Sequence, residues 1–198
     1  MLVRNLLLSA LLLLILASCQ KEIAFSTTPV VTYQPQLGTR WTYRSYTYNL
    51  SGSLNSTVDE FYRISSIDTL GGEPWFNVTD SDANTVFHLK VRPDGLYQYT
   101  NNSSNLLCKD SAALGDSYTT YNNGGPEVFT VSGLKDTVDV GAVAVSTTFY
   151  TGVKNSYTVD YILYNKAYWF LEKDIRRFNP FTGTMVNVSK LELLAIAY

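Results

Sequence analysis

Arg40-Trp41-Thr42-Tyr43-Arg44-Ser45 is the stretch of this sequence that most clearly determines the fold. Aromatic residues alternate in it with charged or hydroxyl-bearing residues, and successive side chains of a β-strand point to opposite faces of the sheet. This period of two is typical of a half-buried strand, with Trp41 and Tyr43 on the buried face. Tyr46 and Tyr48 continue the strand on the opposite face. We therefore predict a strand that presents aromatic side chains to both sides.

The chain on the carboxy-terminal side of this stretch consists of short β-favouring runs separated by turn residues. The turns include Gly71-Gly72-Glu73-Pro74, Pro93-Asp94-Gly95 and Pro180-Phe181-Thr182-Gly183, whose residue types suit tight turns. Tyrosine occurs fifteen times, and patterns with the helical period are scarce. These features predict an all-β fold, an antiparallel meander that forms one strongly curved sheet or an incomplete β-barrel.

The clearest break in the chain is Asn122-Asn123-Gly124-Gly125-Pro126. It could separate two domains, but neither half would bury much core by itself. We therefore predict a single β domain over residues 37–198, which is long enough to bury a core without disulfides.

The amino terminus has the features of an export signal. Arg4 precedes an apolar run from Leu6 to Leu16, which is too short to cross a hydrocarbon core of about 30 Å as a helix. Leu16-Ala17-Ser18-Cys19 follows and resembles the lipobox of bacterial lipoproteins. The resemblance implies a signal peptide over residues 1–18 and diacylation of Cys19, so that lipid and not a spanning helix holds the protein to the membrane. The alternatives are an ordinary secretory signal and a short membrane anchor.

The residues after Cys19 bear on the location of the protein. Gln20 stands where an aspartate marks retention in the inner membrane of Gram-negative bacteria, so we expect the outer membrane. Gln20-Lys21-Glu22 resembles the start of the export signal of surface lipoproteins in Bacteroidota, and this leaves both the periplasmic face and the cell surface open. Residues 19–36 are predicted to be the lipidated cysteine and an extended tether.

Charge and cysteine content exclude other classes of protein. The net charge of −2 at pH 7 becomes −3 when Arg4 leaves with the signal peptide, whereas nucleic-acid-binding proteins usually carry a basic patch. After lipidation of Cys19, only Cys108 remains, so no intramolecular disulfide can form. We predict that Cys108 is a small buried apolar residue, and that the protein is a monomer that binds no nucleic acid.

Two segments resemble a known family. Residues 35–43 look like the Leu-x-x-Gly-x-x-Trp-x-Tyr opening of many small Bacteroidota lipoproteins of unknown function, although Leu37 here directly precedes Gly38. Residues 168–198 are similar in style to the carboxy-terminal hairpin of those proteins. These motifs are structural and imply no active residue. A looser resemblance, to half-barrels that carry lipoproteins, would imply an apolar cavity.

Motifs that carry chemistry are incomplete in this sequence. His88 is the single histidine, and strand alternation places it with Lys90 on a solvent face. Asp80-Ser81-Asp82-Ala83-Asn84 imitates the start of a calcium loop, but Thr85 and Val91 stand at the required glycine and glutamate positions, so we predict a polar turn. The mixed charges of residues 172–177 are explained by cross-strand ion pairs and protection of a sheet edge. We predict no catalytic residue, no metal site, no cofactor and no enzymatic activity.

The aromatic residues outside the predicted core allow two interpretations. Cross-strand packing explains them with no ligand. Alternatively, they form a platform for sugar rings or line a lipid cavity. The candidate ligand-facing side chains are Tyr46, Tyr48, Trp75, Tyr97 and Tyr99.

Three triplets resemble the Asp-Ser/Thr-aliphatic acceptor of general O-glycosylation in Bacteroidota: Asp68-Thr69-Leu70, Asp110-Ser111-Ala112 and Asp136-Thr137-Val138. We therefore predict glycans on Thr69, Ser111 and Thr137. Taken together, the sequence predicts a lipoprotein of the cell envelope that acts as a non-catalytic module contacting a glycan or an envelope protein. The alternative is a half-barrel carrier of a lipid or another apolar ligand.

Overall fold

The computed structural model describes residues 34–122, 125–141 and 143–198. The predicted signal peptide, Cys19 and most of the predicted tether lie outside these residues. The described chain forms twelve strands: β1 Arg40–Tyr48, β2 Leu54–Leu70, β3 Glu73–Thr79, β4 Thr85–Arg92, β5 Gly95–Thr100, β6 Ser103–Lys109, β7 Ser117–Asn122, β8 Gly125–Val140, β9 Val143–Asn155, β10 Thr158–Asn165, β11 Trp169–Asn179 and β12 Thr184–Ala197.

All twelve strands belong to one antiparallel sheet in the order β6-β5-β4-β3-β2-β1-β12-β11-β10-β9-β8-β7. Consecutive strands pair as hairpins within each half, and the pairing of β1 with β12 joins the two halves. The two edge strands, β6 and β7, come near each other without a backbone ladder, so the sheet is nearly closed into a barrel with one open seam. The predicted all-β meander that forms an incomplete barrel is therefore confirmed.

The antiparallel order assigns every turn to one of two ends of the barrel. We call the end at which β1 begins, at Arg40, the proximal end, because the amino-terminal segment enters there. The turns β1–β2, β3–β4, β5–β6, β7–β8, β9–β10 and β11–β12 all lie at the other end, which we call the distal end. The strands of each hairpin thus span the barrel from one end to the other, with inward-facing side chains along their length.

Aromatic side chains fill the interior of the barrel. Trp41 and Tyr43 are 1% and 2% exposed, as the period of two predicts. The Trp41 ring stacks on Trp169 at 4.8 Å between centroids. The Trp41 Nε1–H donates to the Tyr168 backbone oxygen at 3.0 Å, and the Tyr43 hydroxyl donates to the Phe170 backbone oxygen at 2.9 Å. These contacts fasten β1 to the start of β11 across the intervening strand β12.

Side chains close the seam where the backbone ladder is missing. The Tyr118 hydroxyl on β7 donates to the Leu107 backbone oxygen on β6 at 2.7 Å, and the Tyr150 hydroxyl donates to the Lys109 backbone oxygen. Just beyond β6, Asp110 accepts from the Tyr164 hydroxyl at 3.0 Å. Burial raises the pKa of Tyr118, Tyr150 and Tyr164, so all three hydroxyls keep their protons at neutral pH.

The seam hydrogen bond of Tyr118 gives a first testable prediction. Tyr118→Phe keeps the ring but leaves a backbone acceptor of β6 without its donor, so we expect a loss of about 1 kcal/mol in the free energy of unfolding. Amide hydrogen exchange in β6 should also become faster, because this edge strand loses an anchor. Equal exchange rates in β6 of the variant and the parent would show that the seam is held by other contacts.

In the part of the chain that the structure describes, there is no helix long and apolar enough to cross a membrane.

Candidate functional site

The predicted ligand-facing aromatic residues separate into two groups. Trp75 on β3 and Tyr99 on β5 lie together on the outer face, with ring centroids 5.3 Å apart, and Tyr97 shares that face. Tyr46 on β1 pairs with Thr57 of β2, eleven residues along β2 from the partner of Trp75. At the usual rise of a strand this corresponds to about 35 Å. These aromatic residues therefore do not form one continuous platform.

Trp75 is covered by its neighbours. Its side chain is 1% exposed, and its Nε1–H donates to the Leu70 backbone oxygen at 3.1 Å. The charged ends of Lys90 and Arg92 lie 5.8 and 5.7 Å from the Trp75 ring centroid, and both bind the Glu73 carboxylate, at 3.0 and 2.7 Å. These contacts favour the interpretation of Trp75 as a packing residue of the outer face.

The tyrosines of both groups also have partners within the protein. The Arg92 guanidinium lies 4.4 Å from the centroid of the Tyr97 ring, and the Tyr97 hydroxyl donates to Asp94 at 2.5 Å. This hydrogen bond raises the pKa of Tyr97. The Tyr46 hydroxyl donates to Glu192 at 3.2 Å, while the Tyr48 side chain is half-buried on the same outer face as Tyr46. Ligand contact by these residues stays a prediction.

A polar hollow of about 250 Å³ opens among inward-facing residues near the distal end. We call it the mouth. Charged side chains from the four consecutive strands β8, β9, β10 and β11 meet there. They lie next to Gln98, Thr158 and the apolar residues Val86, Phe87 and Ile175. The charged residues are Glu127, Lys154, Asp160, Lys173 and Arg177.

The strand register explains how charged residues come to point inward. On β10, Asp160 lies two residues before Ile162, which is 1% exposed in the core. Ile162 pairs with Lys173 of β11, and Thr158 pairs with Arg177. Because paired residues of an antiparallel ladder share a face, Lys173 and Arg177 project into the barrel.

The charged run 172–177 is therefore divided between the two faces of β11. Glu172 binds Lys190 of β12 at 3.1 Å, and Arg176 binds Asp174 at 3.0 Å, both on the outer face. The predicted cross-strand ion pairing is thus present. The predicted protection of a sheet edge is wrong, because β11 lies inside the sheet between β10 and β12.

Burial dominates the electrostatics of the mouth. It raises the pKa of Asp160, and the nearby charges of Lys173 and Lys154 oppose this effect only in part. Glu127 is 1% exposed and lies beside Gly152, where any Cβ would approach the Glu127 carboxylate to 2.5 Å. The mouth thus contains carboxylates that can accept hydrogen bonds and cations that can bind an anion. Such groups suit the recognition of a polar ligand.

The raised pKa of Asp160 predicts how the stability of the protein depends on pH. The folded-state pKa of this residue is raised above the unfolded value, so the folded protein binds the proton more tightly and loses stability as the pH rises through the two values. Asp160→Asn removes this penalty, and we expect a higher melting temperature than the parent at pH 7. The difference should disappear at a pH below the unfolded pKa, where the carboxyl is protonated in both states. A variant less stable than the parent at pH 7 would show that the cations outweigh burial.

Other residues with potential chemistry lie elsewhere. His88 is on the outer face, as predicted, with its Nε2 3.0 Å from Asp68. Asp80 caps the β3–β4 turn by accepting from the backbone N–H of Asp82 and Asn84, at 2.9 and 2.8 Å. The predicted polar turn is therefore confirmed. Cys108 is fully buried, also as predicted, and burial raises the pKa of its thiol. Among the described residues, no group of three or more His, Cys, Asp or Glu is placed to hold a metal.

The three predicted glycosylation acceptors share exposure and position. Thr69, Ser111 and Thr137 are all exposed, and all lie near turns of the proximal end, in β2, the β6–β7 connection and β8. Glycans there would leave the distal mouth uncovered.

The residues of the mouth were missed by the sequence analysis. The inward position of Asp160 is signalled by its period-two spacing from Ile162 and Tyr164 in Asp160-Tyr161-Ile162-Leu163-Tyr164. A charged residue in the apolar register of a strand indicates either a functional site or a strand end.

The described chain is thus an all-β, nearly closed antiparallel meander. Solved structures with a similar arrangement include one from Bacteroides fragilis, described as an exported protein with a YmcC-like fold. It has 13% identity and a TM-score of 0.47, covering 84% of this chain and 98% of that one. Another, from Parabacteroides distasonis, is described as a lipoprotein and has 12% identity and a TM-score of 0.44, with the same coverage. No protein-family model and no curated protein matches this chain. At these values the likeness is one of general architecture only.

Proposed function

We propose that this protein is a lipid-anchored lipoprotein of the outer membrane whose β domain is a non-catalytic binding module for an envelope glycan. The observation that carries the proposal is the convergence of charged and hydrogen-bonding side chains on the mouth, a hollow of about 250 Å³. Sugars present many hydroxyl groups, which donate to carboxylates such as those of Glu127 and Asp160 and exchange hydrogen bonds with Gln98 and Thr158.

The position of the mouth agrees with anchoring at Cys19. The described chain leads from residue 34 into β1 at the proximal end, and β1 runs for nine residues from there to the distal end, a length of about 30 Å. The mouth is therefore at the end of the domain opposite to the point where β1 begins. An anchored molecule of this shape can present the mouth to a polymer away from the membrane surface.

The packing of the interior favours a binding module over a carrier of lipid. Trp41, Trp169 and Tyr150 are at most 2% exposed and occupy the space between the strands. The indole N–H of Trp41 and the hydroxyl of Tyr150 bind backbone oxygens there, whereas an acyl chain needs an apolar hollow. The carrier alternative predicts a lipid-sized mass that co-purifies with the protein. Native mass spectrometry that finds such a mass, lost on organic extraction, would replace the present proposal.

The direct test measures binding of envelope polysaccharide fragments to the full lipidated protein in a neutral detergent. We expect saturable binding that Asp160→Asn weakens by about tenfold, the loss of one charge-assisted hydrogen bond. This variant is suitable because it should not lower stability at pH 7. Asp59→Asn, which alters a carboxylate on the outer face bound to Arg44 at 2.7 Å, is the matched control and should bind as the parent does. Equal binding by parent and Asp160→Asn would exclude the mouth as the glycan site.

We further propose that Thr69, Ser111 and Thr137 carry O-glycans in the native host. The intact mass of the purified native protein should exceed that of the bare lipopeptide. The triple variant Thr69→Ala, Ser111→Ala and Thr137→Ala should bring the mass down to the lipopeptide value. A native mass already at that value would contradict the proposal.

A further inference from the structure

We propose that the mouth recognises an acidic glycan, with the anionic group of one sugar held by Lys154, Lys173 and Arg177. This inference rests on the proposed function and specifies its ligand class. All three cations line the same hollow. Within the described residues none of the three forms an ion pair.

The absence of ion pairs distinguishes these cations from most others in the described chain. The cations that pair with a carboxylate within 4 Å are Arg44, Lys90, Arg92, Lys109, Lys166, Arg176 and Lys190. Arg40 instead lies over the Phe61 ring, 4.3 Å from its centroid, and Arg63 is exposed on the outer face. Cations that form no ion pair within 4 Å are thus concentrated at the mouth, although their charges also act on the Asp160 carboxylate. Lys154 and Lys173 are half-buried there, and this partial burial strengthens their attraction for an anion.

The two carboxylates of the mouth argue for a sugar over a bare anion. Glu127 and Asp160 would repel a small free anion at close range, but each can accept a hydrogen bond from a hydroxyl group. A ligand that carries an anionic group and hydroxyls on one ring satisfies both kinds of side chain. Uronic acids and sugar phosphates share this chemistry.

The size of the mouth limits the part of the ligand that enters. About 250 Å³ is below the range of roughly 300–1,000 Å³ usual for pockets that enclose a whole drug-sized ligand. One sugar unit, at a chain end or as a branch, is the part that would enter. Phe87 in the wall offers an apolar face on which a sugar ring can rest.

The inference is tested by isothermal titration calorimetry. Four small probes are titrated into the full lipidated protein in a neutral detergent. The probes are D-glucuronate, D-glucose 6-phosphate, D-glucose and inorganic phosphate. We expect the two acidic sugars to bind at least tenfold more tightly than glucose and than inorganic phosphate. Their affinity should fall as salt rises, because salt screens the attraction.

Arg177→Gln and Arg63→Gln form a matched pair of variants. Arg177 lines the mouth, whereas Arg63 is an exposed, unpaired arginine of the outer face, and both changes remove one positive charge. Arg177→Gln should weaken binding of the acidic sugars about tenfold with no change for glucose, and Arg63→Gln should change neither.

The outcomes separate this inference from the proposed function. Binding of glucose as tight as that of glucuronate would overturn the acidic specificity and leave a glycan-binding module. Binding of inorganic phosphate as tight as that of glucose 6-phosphate would show that the mouth does not require a sugar. If glucuronate binds to the parent and to Arg177→Gln equally, the anion lies elsewhere. Failure of every probe and of all polysaccharide fragments would overturn the proposed function itself.

Discussion

Replacing Trp41 by alanine is expected to lower the free energy of unfolding by about 3–5 kcal/mol, the range for deleting a large buried aromatic side chain. Trp41 is 1% exposed and stacks on Trp169. Its indole N–H also binds the Tyr168 backbone oxygen, so the change opens a cavity, removes an aromatic pair and leaves an acceptor unsatisfied. Since domains are stable by only about 5–15 kcal/mol, the variant should be close to unfolding at growth temperature.

Urea unfolding followed by circular dichroism measures this loss, and Tyr48→Ala is the matched control. Both residues are aromatic members of β1, but Tyr48 lies half-buried on the outer face. Removal of Tyr48 should cost less than about 1 kcal/mol, because neighbouring space is already open to water. Losses of equal size in the two variants would contradict the assignment of the two faces of β1.

Local patterns predicted the strands of this fold because their causes are local. The alternation of Trp41 and Tyr43 with polar neighbours follows from the two-residue repeat of a strand, and Pro93-Asp94-Gly95 marks a turn by its own backbone preferences. The pairing of β1 with β12, by contrast, brings Trp41 opposite Ile196. Nothing within either segment specifies this partner. The sequence alone therefore did not decide between a curved sheet and an incomplete barrel.

The mouth was harder to predict because bulges interrupt the alternation within strands. Leu171 is an extra residue of β11 between the partners of Leu163 and Tyr164. Counting in twos from the buried residue Phe170 therefore assigns residues 172–177 to the wrong faces. Lys173 and Glu172 therefore look alike in sequence, although one faces the interior and the other the solvent. Trp75 shows the same limit, since alternation places it on the outer face but does not reveal that Lys90 and Arg92 cover it.

Gly152→Ala is expected to lower the free energy of unfolding by about 1–3 kcal/mol, the usual cost of overpacking a core. Gly152 pairs with Phe129 of β8, and a Cβ at this position would lie 2.6 Å from the Phe129 ring and 2.5 Å from the Glu127 carboxylate. Both neighbours are at most 1% exposed, so neither side chain has free space into which it can move. The missing side chain of Gly152 is therefore what allows Phe129 and Glu127 to occupy the interior together.

Gly133→Ala tests this explanation by the same change in the partner strand β8. The nearest atom to a new Cβ there belongs to the carboxylate of Asp136, an exposed side chain that can rotate away. Phe149, at 3.3 Å, needs to shift by only a few tenths of an ångström. We expect Gly133→Ala to cost at most about 0.5 kcal/mol, as surface changes usually do. Because Gly152→Ala also displaces Glu127, it should weaken ligand binding at the mouth, whereas Gly133→Ala should not. Equal stability and equal binding in the two variants would show that the space beside Gly152 is not required for the mouth.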